Sequence, residues 1–244
     1  MPQLNPYISV DCVVFGFDFE QLNVLLVDRN LVDPITGAEV FSDLTLTGNH
    51  IFDDEDLDAA ASRILFDLTG LEGIYMEQFK VFGNPNRLSK PKDQLWLQFC
   101  GRDPKSRIIT VGYYSLLNIN KVILQWKGRH VKWYPISEVT ELAFDHKEIL
   151  GEALKALRNK LKNEPIGFEL LPEKFTLSQM QKLYEIILGI ELDKRNFRKK
   201  IARMTYLEPL NEKQKGVSHK PGRLYTFNKE VFERTKKEFL NFLV

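Results

Sequence analysis

Three charged residues in the stretch Leu46–Leu71 could support chemistry on a phosphorylated substrate. Glu55 and Asp67 are carboxylates, and Mg²⁺ prefers such oxygen ligands when it neutralises phosphate charge or activates a water. Arg63, however, precedes Asp67 by four residues, so these two side chains can instead form an ion pair on a helix surface. Glu55 and Asp67 are therefore residual metal candidates, and we expect neither a bound metal nor a cofactor.

The same stretch predicts the helix that would position these residues. Its apolar residues recur at i, i+3, i+4, i+7, i+8 and i+11, which places them on one helix face. They are Leu57, Ala60, Ala61, Ile64, Leu65 and Leu68. Gly70 ends the predicted helix, because glycine readily adopts the left-handed conformation that follows a helix.

The stretch resembles a Nudix box, whose pattern is G-x5-E-x7-R-E-U-x-E-E-x-G-U, with U an aliphatic residue. The matching residues are Glu55, Arg63, Leu65, Gly70 and Leu71. Asn49 replaces the first glycine, Asp67 shortens one glutamate, and Ile64 and Leu68 replace two others. Positions 64 and 68 lie one helical turn apart, so a face that would carry two carboxylates is aliphatic here. The resemblance therefore implies the fold of this family without its hydrolase activity.

Composition indicates a water-soluble protein with one large or two ordinary domains. The 244 residues are 43% hydrophobic and 27% charged, as is usual for globular proteins. We find no signal-peptide pattern and no apolar run of transmembrane length, which predicts a cytoplasmic protein without a membrane partner. Cys12 and Cys100 have no metal-binding spacing, and neither do His50 and His130.

Strand and helix patterns in the first two thirds of the chain fit an α+β fold. Strands are predicted at 9–17, 23–29, 74–83, 107–118 and 131–135, and a helix at 146–162. We interpret residues 1–162 as a Nudix-like α/β/α sandwich with insertions at 30–42 and 88–102. The run LWLQF in the second insertion could be an extra strand, a lid or a dimer contact. Asp145 could cap the helix or, with His146, line a cavity.

Residues 165–244 predict a helix-turn-helix followed by a wing. Thr176 and Gln179 form a capping box before one helix, and Asp193 can cap the next. Strands at 206–209 and 223–227 flank a basic turn at 213–220, and a closing helix is predicted at 229–242. This part of the chain has 16 Lys/Arg against 10 Asp/Glu, a net charge of +6, whereas the preceding residues have 18 against 23, a net charge of −5.

A basic helix of this kind fits the major groove of DNA, where Arg and Asn can read base edges and Lys can hold phosphates. We expect Arg195, Asn196 and Arg198 near bases. The other predicted DNA-binding residues are Lys194, Lys199, Lys220 and Arg223, of which the last three are assigned to the backbone. The alternative to DNA binding is that this domain binds another protein.

The whole chain resembles the Nudix-related transcriptional regulators, with an inactive Nudix-like domain before a winged helix-turn-helix. The resemblance covers nearly all residues, including the segments LAFDH and DKRNFRKKI, and is greatest to the arabinose-responsive branch. It implies a homodimeric repressor of carbohydrate utilisation that leaves a palindromic operator on binding a sugar or nucleotide sugar. A Mg²⁺-dependent hydrolase of a nucleotide sugar with a DNA-binding tail is the alternative.

An effector in the former active-site cleft would be held by polar side chains from segments that this fold brings together. The predicted effector-binding residues are Asp11, Arg29, Asn49, His50, Asn86, Tyr113 and Asp145. Asp11 and Arg29 could equally form a buried structural pair.

Overall fold

A computed structural model describes residues 2–125, 130–163, 166–218 and 220–235. The chain divides into two compact units. The first comprises Met1–Gly16, Asn23–Leu116 and Lys121–Leu154, and the second comprises Phe17–Leu22, Leu117–Asn120 and Lys155–Val244. Residues 164 and 165 are outside the described part of the chain, so a domain boundary there stays a prediction.

The first unit is built on a seven-stranded sheet with strand order β3-β2-β1-β6-β5, in which β4 also pairs with β1 and β7 with β2. The strands are β1 (Leu4–Phe17), β2 (Leu22–Val32), β3 (Glu39–Thr45), β4 (Thr47–Phe52), β5 (Glu77–Phe82), β6 (Ile109–Asn118) and β7 (Val131–Pro135). Its helices are α1 (Leu57–Thr69) and α2 (Pro91–Phe99), and α3 (His146–Asn163) begins in this unit. The predicted strands and helices are confirmed, with ends shifted by a few residues.

Strand β1 lies inside the sheet, between β2 and β6. Its apolar residues from Val10 to Phe17 are fully buried, as expected for a strand covered on both faces. Helix α1 packs on this strand, since Ala60 and Ile64 belong to the same buried cluster as Val10 and Cys12. The apolar face predicted for α1 therefore forms core contacts.

Both ends of α1 are fixed by local contacts. Asp56 accepts a hydrogen bond from the Ala59 N–H at 2.8 Å, which caps the first turn. Gly70 has a φ of 75° and its N–H donates to the Phe66 carbonyl. A Cβ at Gly70 would lie 2.7 Å from the Gln125 side chain, so this position requires glycine for both conformation and space.

The two predicted insertions form regular structure. Residues 30–42 extend β2 and form the antiparallel hairpin β2–β3. The segment 88–102 contains helix α2, so the extra strand considered for LWLQF is wrong. Pro91 begins the helix, where proline is tolerated, and Asp93 and Leu97, one turn apart, are its buried residues.

The second unit contains a helix pair and a three-stranded antiparallel sheet of order β8-β10-β9. Its elements are β8 (Phe175–Thr176), α4 (Leu177–Leu188), α5 (Lys194–Ile201), β9 (Leu207–Lys213), β10 (Arg223–Phe227) and α6 (Lys229–Thr235). The capping box of Thr176 and Gln179 is confirmed, as is the Asp193 cap. The predicted closing helix is described only to Thr235, so its later residues lie outside the described range.

Within the described ranges, no helix is long and apolar enough to cross a membrane.

Candidate functional site

The first unit contains a cavity of about 240 Å³. Its wall is formed by strands β1 to β4, the end of α1, helix α2 with its flanking loops, and the start of α3. Four of the seven predicted effector-binding residues line it, namely Asp11, Arg29, Asn49 and His50. The fold therefore brings together side chains from β1, β2 and β4.

The other three predicted residues do not line this cavity. Asn86 is exposed, and its neighbour Arg87 lines the cavity. The Tyr113 hydroxyl donates a hydrogen bond to the Asp58 carboxylate at 2.6 Å. The Asp145 carboxylate accepts two hydrogen bonds from Arg87, so Asp145 contacts a side chain that lines the cavity without lining it itself.

Arg29 is a buried cation held by two acidic residues. Its Nε and Nη2 atoms donate to the two carboxylate oxygens of Asp43, each at 2.6 Å, and Nη2 lies 2.8 Å from Asp93 Oδ1. Burial lowers the pKa of Arg29, but the two carboxylates outweigh this effect and raise it overall. The considered Arg29–Asp11 pair is not observed among the described residues.

The guanidinium of Arg29 also lies against aromatic rings. Its Cζ atom is 4.6 Å from the ring centre of Phe144 and 5.6 Å from that of Trp96, and both residues line the cavity. Such contacts stabilise a cation. Nη1 of Arg29 is buried and has no hydrogen-bond partner among the described residues.

A second charged network joins β1 to the start of α3. Arg87 donates through Nε and Nη2 to the Asp145 carboxylate, both at 2.8 Å, and its Nη2 lies 3.6 Å from Asp11. Asp11 also accepts from the Thr110 hydroxyl at 2.7 Å. Gly48 leaves room for this carboxylate, since a Cβ there would lie 1.9 Å from Asp11 Oδ1.

His146 belongs to the same network and is uncharged. Its Nδ1 accepts from the Leu46 N–H at 3.0 Å, so the proton of the neutral ring is on Nε2, 3.4 Å from Asp11 Oδ1. Burial lowers the pKa of His146, and the Asp11 and Asp145 carboxylates offset this only in part. His50 is oriented differently, because its Nδ1 donates to the Asn5 carbonyl at 2.6 Å.

The residues of the box do not fit a divalent metal. Glu55 forms a two-point ion pair with Arg63, and Asp67 lies 3.5 Å from the same guanidinium. The pKa of Glu55 is lowered, chiefly by its hydrogen bond to Arg63. Ile64 is buried and Leu68 lines the cavity. Among the described residues, no group of three His, Cys, Asp or Glu side chains could hold a metal.

Several cavity residues were missed by the sequence analysis. They are Arg87, Trp96, Arg102 and Phe144. Two of them lie in the segment interpreted as an insertion. The sequence signal that could have identified them is an arginine and an aromatic residue close to an apolar run. Phe144 lies in the segment LAFDH, and its φ of 55° is unusual for a residue other than glycine.

The second unit presents a basic helix face. Phe197 and Ile201 of α5 are buried, whereas five predicted DNA-contacting residues of α5 are all exposed. They are Lys194, Arg195, Asn196, Arg198 and Lys199. The helix contains no acidic residue. This face therefore has the charge and side chains that a DNA groove requires.

The turn between α4 and α5 is fixed by side chains of α4. Gln181 Nε2 donates to the Leu192 carbonyl at 2.9 Å, and Glu185 accepts from the Leu192 N–H at 3.0 Å. Gly189 ends α4 in the left-handed conformation, with a φ of 70°. These contacts hold α5 at a defined angle to α4.

Strands β9 and β10 form the predicted wing. Lys220 and Arg223 are exposed on it. Arg223 Nε also donates to the Leu210 carbonyl at 2.9 Å, across the two strands. The predicted basic turn includes residue 219, which is outside the described ranges.

The second unit matches a known protein family. Residues 167–227 match the family model of the NrtR DNA-binding winged helix domain. The chain is also 30% identical over 228 residues to the ADPR responsive transcriptional repressor NtrR of Acinetobacter baylyi. That alignment spans 91% of this chain and 82% of the relative.

Solved structures agree with this result. The structure of Shewanella oneidensis NrtR complexed with a 27mer DNA matches with a TM-score of 0.69 and 26% identity, over 93% of this chain and 95% of that one. A second structure of S. oneidensis NrtR matches with a TM-score of 0.64 and 28% identity, over 92% of this chain and 94% of that one. The predicted α+β class, Nudix-like and then winged helix, is confirmed.

The expected proximity to the arabinose-responsive branch is not supported, because the relative found is named for ADPR. The chain belongs to the NrtR family of transcriptional regulators, which combine a Nudix-like domain with a DNA-binding winged helix domain.

Proposed function

We propose that this protein is a transcriptional repressor that leaves its operator when ADP-ribose (ADPR) binds in the cavity of the first unit. The A. baylyi relative is named as an ADPR responsive repressor. ADPR is a nucleotide sugar, one of the effector classes expected from the sequence. Regulation of carbohydrate utilisation stays a prediction, as do residues 1–162 and 165–244 as domain limits.

The lining of the cavity is the observation that supports a nucleoside diphosphate sugar over an uncharged sugar as the effector. Three arginines line it (Arg29, Arg87 and Arg102), against the single carboxylate of Asp11. Arginine binds phosphate oxygens well because its donors are planar and paired. Trp96 and Phe144 also line it and offer flat surfaces for a purine base.

DNA recognition is assigned to α5 and the wing. Arg195, Asn196 and Arg198 would contact base edges, and the remaining predicted residues would contact the backbone or flank it. These are Lys194, Lys199, Lys220 and Arg223. A homodimer would place two such helices on the half-sites of a palindromic operator.

The effector is tested by DNA release. A duplex selected from a random library by the full-length protein is labelled, and binding is measured by fluorescence anisotropy with ADPR, ADP, ribose and arabinose. We expect ADPR to release the DNA and the free sugars to have no effect. DNA binding that ADPR leaves unchanged would contradict the effector assignment.

The hydrolase alternative is tested with the same protein. ADPR is incubated with it in Mg²⁺ and the products are separated by chromatography. We expect intact ADPR, because the box carboxylates are paired with Arg63. Release of AMP and ribose phosphate at the rate of an ordinary enzyme would instead support the hydrolase.

A further inference from the structure

One hydrogen-bond donor of the cavity lining has no acceptor. Nη1 of Arg29 is buried and lacks a hydrogen-bond partner among the described residues, although Nε and Nη2 of the same guanidinium donate to Asp43. A buried N–H without an acceptor is rare in folded proteins, because nothing compensates for its lost bond to water. Arg29 also lines the cavity. The unpaired Nη1 therefore indicates that a ligand atom completes this site.

The charge of Arg29 is balanced by its neighbours. Its Nη2 lies 2.6 Å from Asp43 and 2.8 Å from Asp93, and Lys92 lies 2.9 Å from the Asp43 carboxylate. These two basic and two acidic side chains together have no net charge at neutral pH. A phosphate gains little electrostatic energy beside a charge-balanced group. Nη1 is therefore better suited to an uncharged acceptor atom than to an anion.

Aromatic rings lie against the same guanidinium. The Cζ atom of Arg29 is 4.6 Å from the ring centre of Phe144, 5.1 Å from that of Phe41 and 5.6 Å from that of Trp96. Trp96 and Phe144 are half-buried and line the cavity, so a flat heterocycle can pack against them. Because Nη1 is buried, an acceptor reaches it only with a rotamer change of a neighbouring side chain, which is common on binding. An aromatic ring with an acceptor atom in its plane fits these surroundings.

We propose that Arg29 recognises the adenine base of the effector by donating a hydrogen bond from Nη1 to a purine ring nitrogen, while the base packs against Trp96 or Phe144. This inference rests on the proposed effector, ADPR, whose adenine has the in-plane acceptors N1, N3 and N7. Arg29 is thus a specificity-determining residue, because a ligand without an acceptor at this point leaves a buried N–H unpaired. Ribose and ribose phosphate lack such a ring and do not complete the site.

The test is isothermal titration of the full-length protein with ADPR and with its 1-deaza, 3-deaza and 7-deaza analogues, each of which replaces one ring nitrogen by C–H. We expect one analogue to bind about 10- to 100-fold more weakly than ADPR, as expected when a buried donor is left unpaired. The other two analogues should bind like ADPR. This series uses the unmodified protein, so its result does not depend on the folding of a variant.

The Arg29→Lys variant identifies the donor. Lysine keeps a positive charge beside Asp43 and Asp93 but removes Nη1, so ADPR should bind more weakly and the discriminating analogue should bind as well as ADPR does. Arg107→Lys is the matched control, since Arg107 is exposed, does not line the cavity and donates to the Gly83 carbonyl. This control should keep the difference in affinity between ADPR and that analogue.

Three results would overturn the inference. Equal binding of ADPR and all three analogues to the unmodified protein would show that no ring nitrogen is recognised, and would leave ADPR as the effector. An analogue that stays weaker than ADPR by the same factor in Arg29→Lys would assign the contact to another donor and leave Arg29 a structural role only. Absence of ADPR binding to the unmodified protein would overturn the effector assignment and this inference together.

Discussion

The ionisable side chains around the cavity are joined in small groups. Arg29 is bound by Asp43 and Asp93, whereas Asp11 contacts Arg87 and His146. Removing one member of a buried pair leaves the other charge uncompensated, which costs more than the pair contributes. These residues therefore keep a fixed geometry, and their substitution changes stability as well as binding.

His146 should make stability depend on pH. Burial lowers its pKa in the folded protein, so the unfolded chain takes up a proton more readily. The stability that neutral His146 contributes is fully present above its pKa in the unfolded chain, about 6.5. This stability is lost as the pH falls toward the lower pKa of His146 in the folded protein. We expect the free energy of unfolding in urea to fall from pH 7.5 to 5.5, by at most about 1.4 kcal/mol per pH unit from this group.

The His146→Gln variant should show a smaller loss over the same pH range. The control is His130→Gln, because His130 is exposed and the variant should keep the slope of the original protein. An unchanged slope in His146→Gln would contradict the assignment.

Helix α2 depends on contacts distant in sequence. Asp93 is fully buried and contacts Arg29, and its other oxygen accepts from the Phe144 N–H at 3.1 Å. Lys90 donates to the Phe144 carbonyl at 2.8 Å. The N-terminal turn of α2 therefore holds Phe144 in its left-handed conformation, which places the ring of Phe144 against Arg29.

Asp93→Ala should consequently destabilise the protein strongly. Loss of one partner of a buried ion pair costs about 3–5 kcal/mol, measured as the free energy of unfolding in urea. Asp67→Ala is the control, since Asp67 is 55% exposed in its pair with Arg63 and should cost about 1 kcal/mol or less. Equal losses of unfolding free energy in the two variants would show that the contacts of Asp93 do not stabilise α2.

The base-contacting role of α5 can be tested separately. Arg195→Ala or Arg198→Ala should each cost about 1–3 kcal/mol in operator affinity and relax the base preference at one position. Affinity is measured by anisotropy and preference by selection from a randomised operator. Lys105→Ala is the control, because Lys105 is exposed in the first unit. Lost affinity with an unchanged preference would assign the arginine to phosphate instead.

At the scale of the molecule, charge is divided between the two parts of the chain. Residues 165–244 carry 16 basic and 10 acidic side chains, and the preceding residues carry 18 and 23. A basic DNA-binding part attracts the phosphates of DNA. Operator binding should therefore weaken steeply with salt.

This salt dependence distinguishes DNA binding from protein docking. A plot of log affinity against log salt should have a negative slope of about 0.9 per phosphate neutralised, and Lys199→Ala should reduce its magnitude by about 1. The Lys105→Ala control should keep the original slope. Affinity independent of salt would contradict phosphate contacts.

The helices with local signals were predictable from sequence. Helices α1 and α4 have periodic apolar residues, capping side chains and a terminal glycine, all within one short stretch. Helix α2 lacks such a pattern, and its buried Asp93 is understandable only once Arg29, distant in sequence, is known to contact it. The apolar run LWLQF alone therefore left an extra strand, a lid and a dimer contact open.

The cavity was predictable only in part for the same reason. Asp11, Arg29, Asn49 and His50 lie on strands that the fold places together. Arg87 and Arg102 contact partners 58 and 53 residues away. No spacing rule connects such pairs, so these two arginines were found only from the structure.

The two cysteines have opposite surroundings. Cys12 is fully buried, and burial raises the pKa of its thiol, which suppresses its reaction with alkylating reagents. Cys100 is exposed and lines the cavity. A maleimide should therefore modify the folded protein at a single position, and the labelling rate should fall when a ligand occupies the cavity. The chain contains its own chemical reporter of occupancy, readable by mass spectrometry without any substitution.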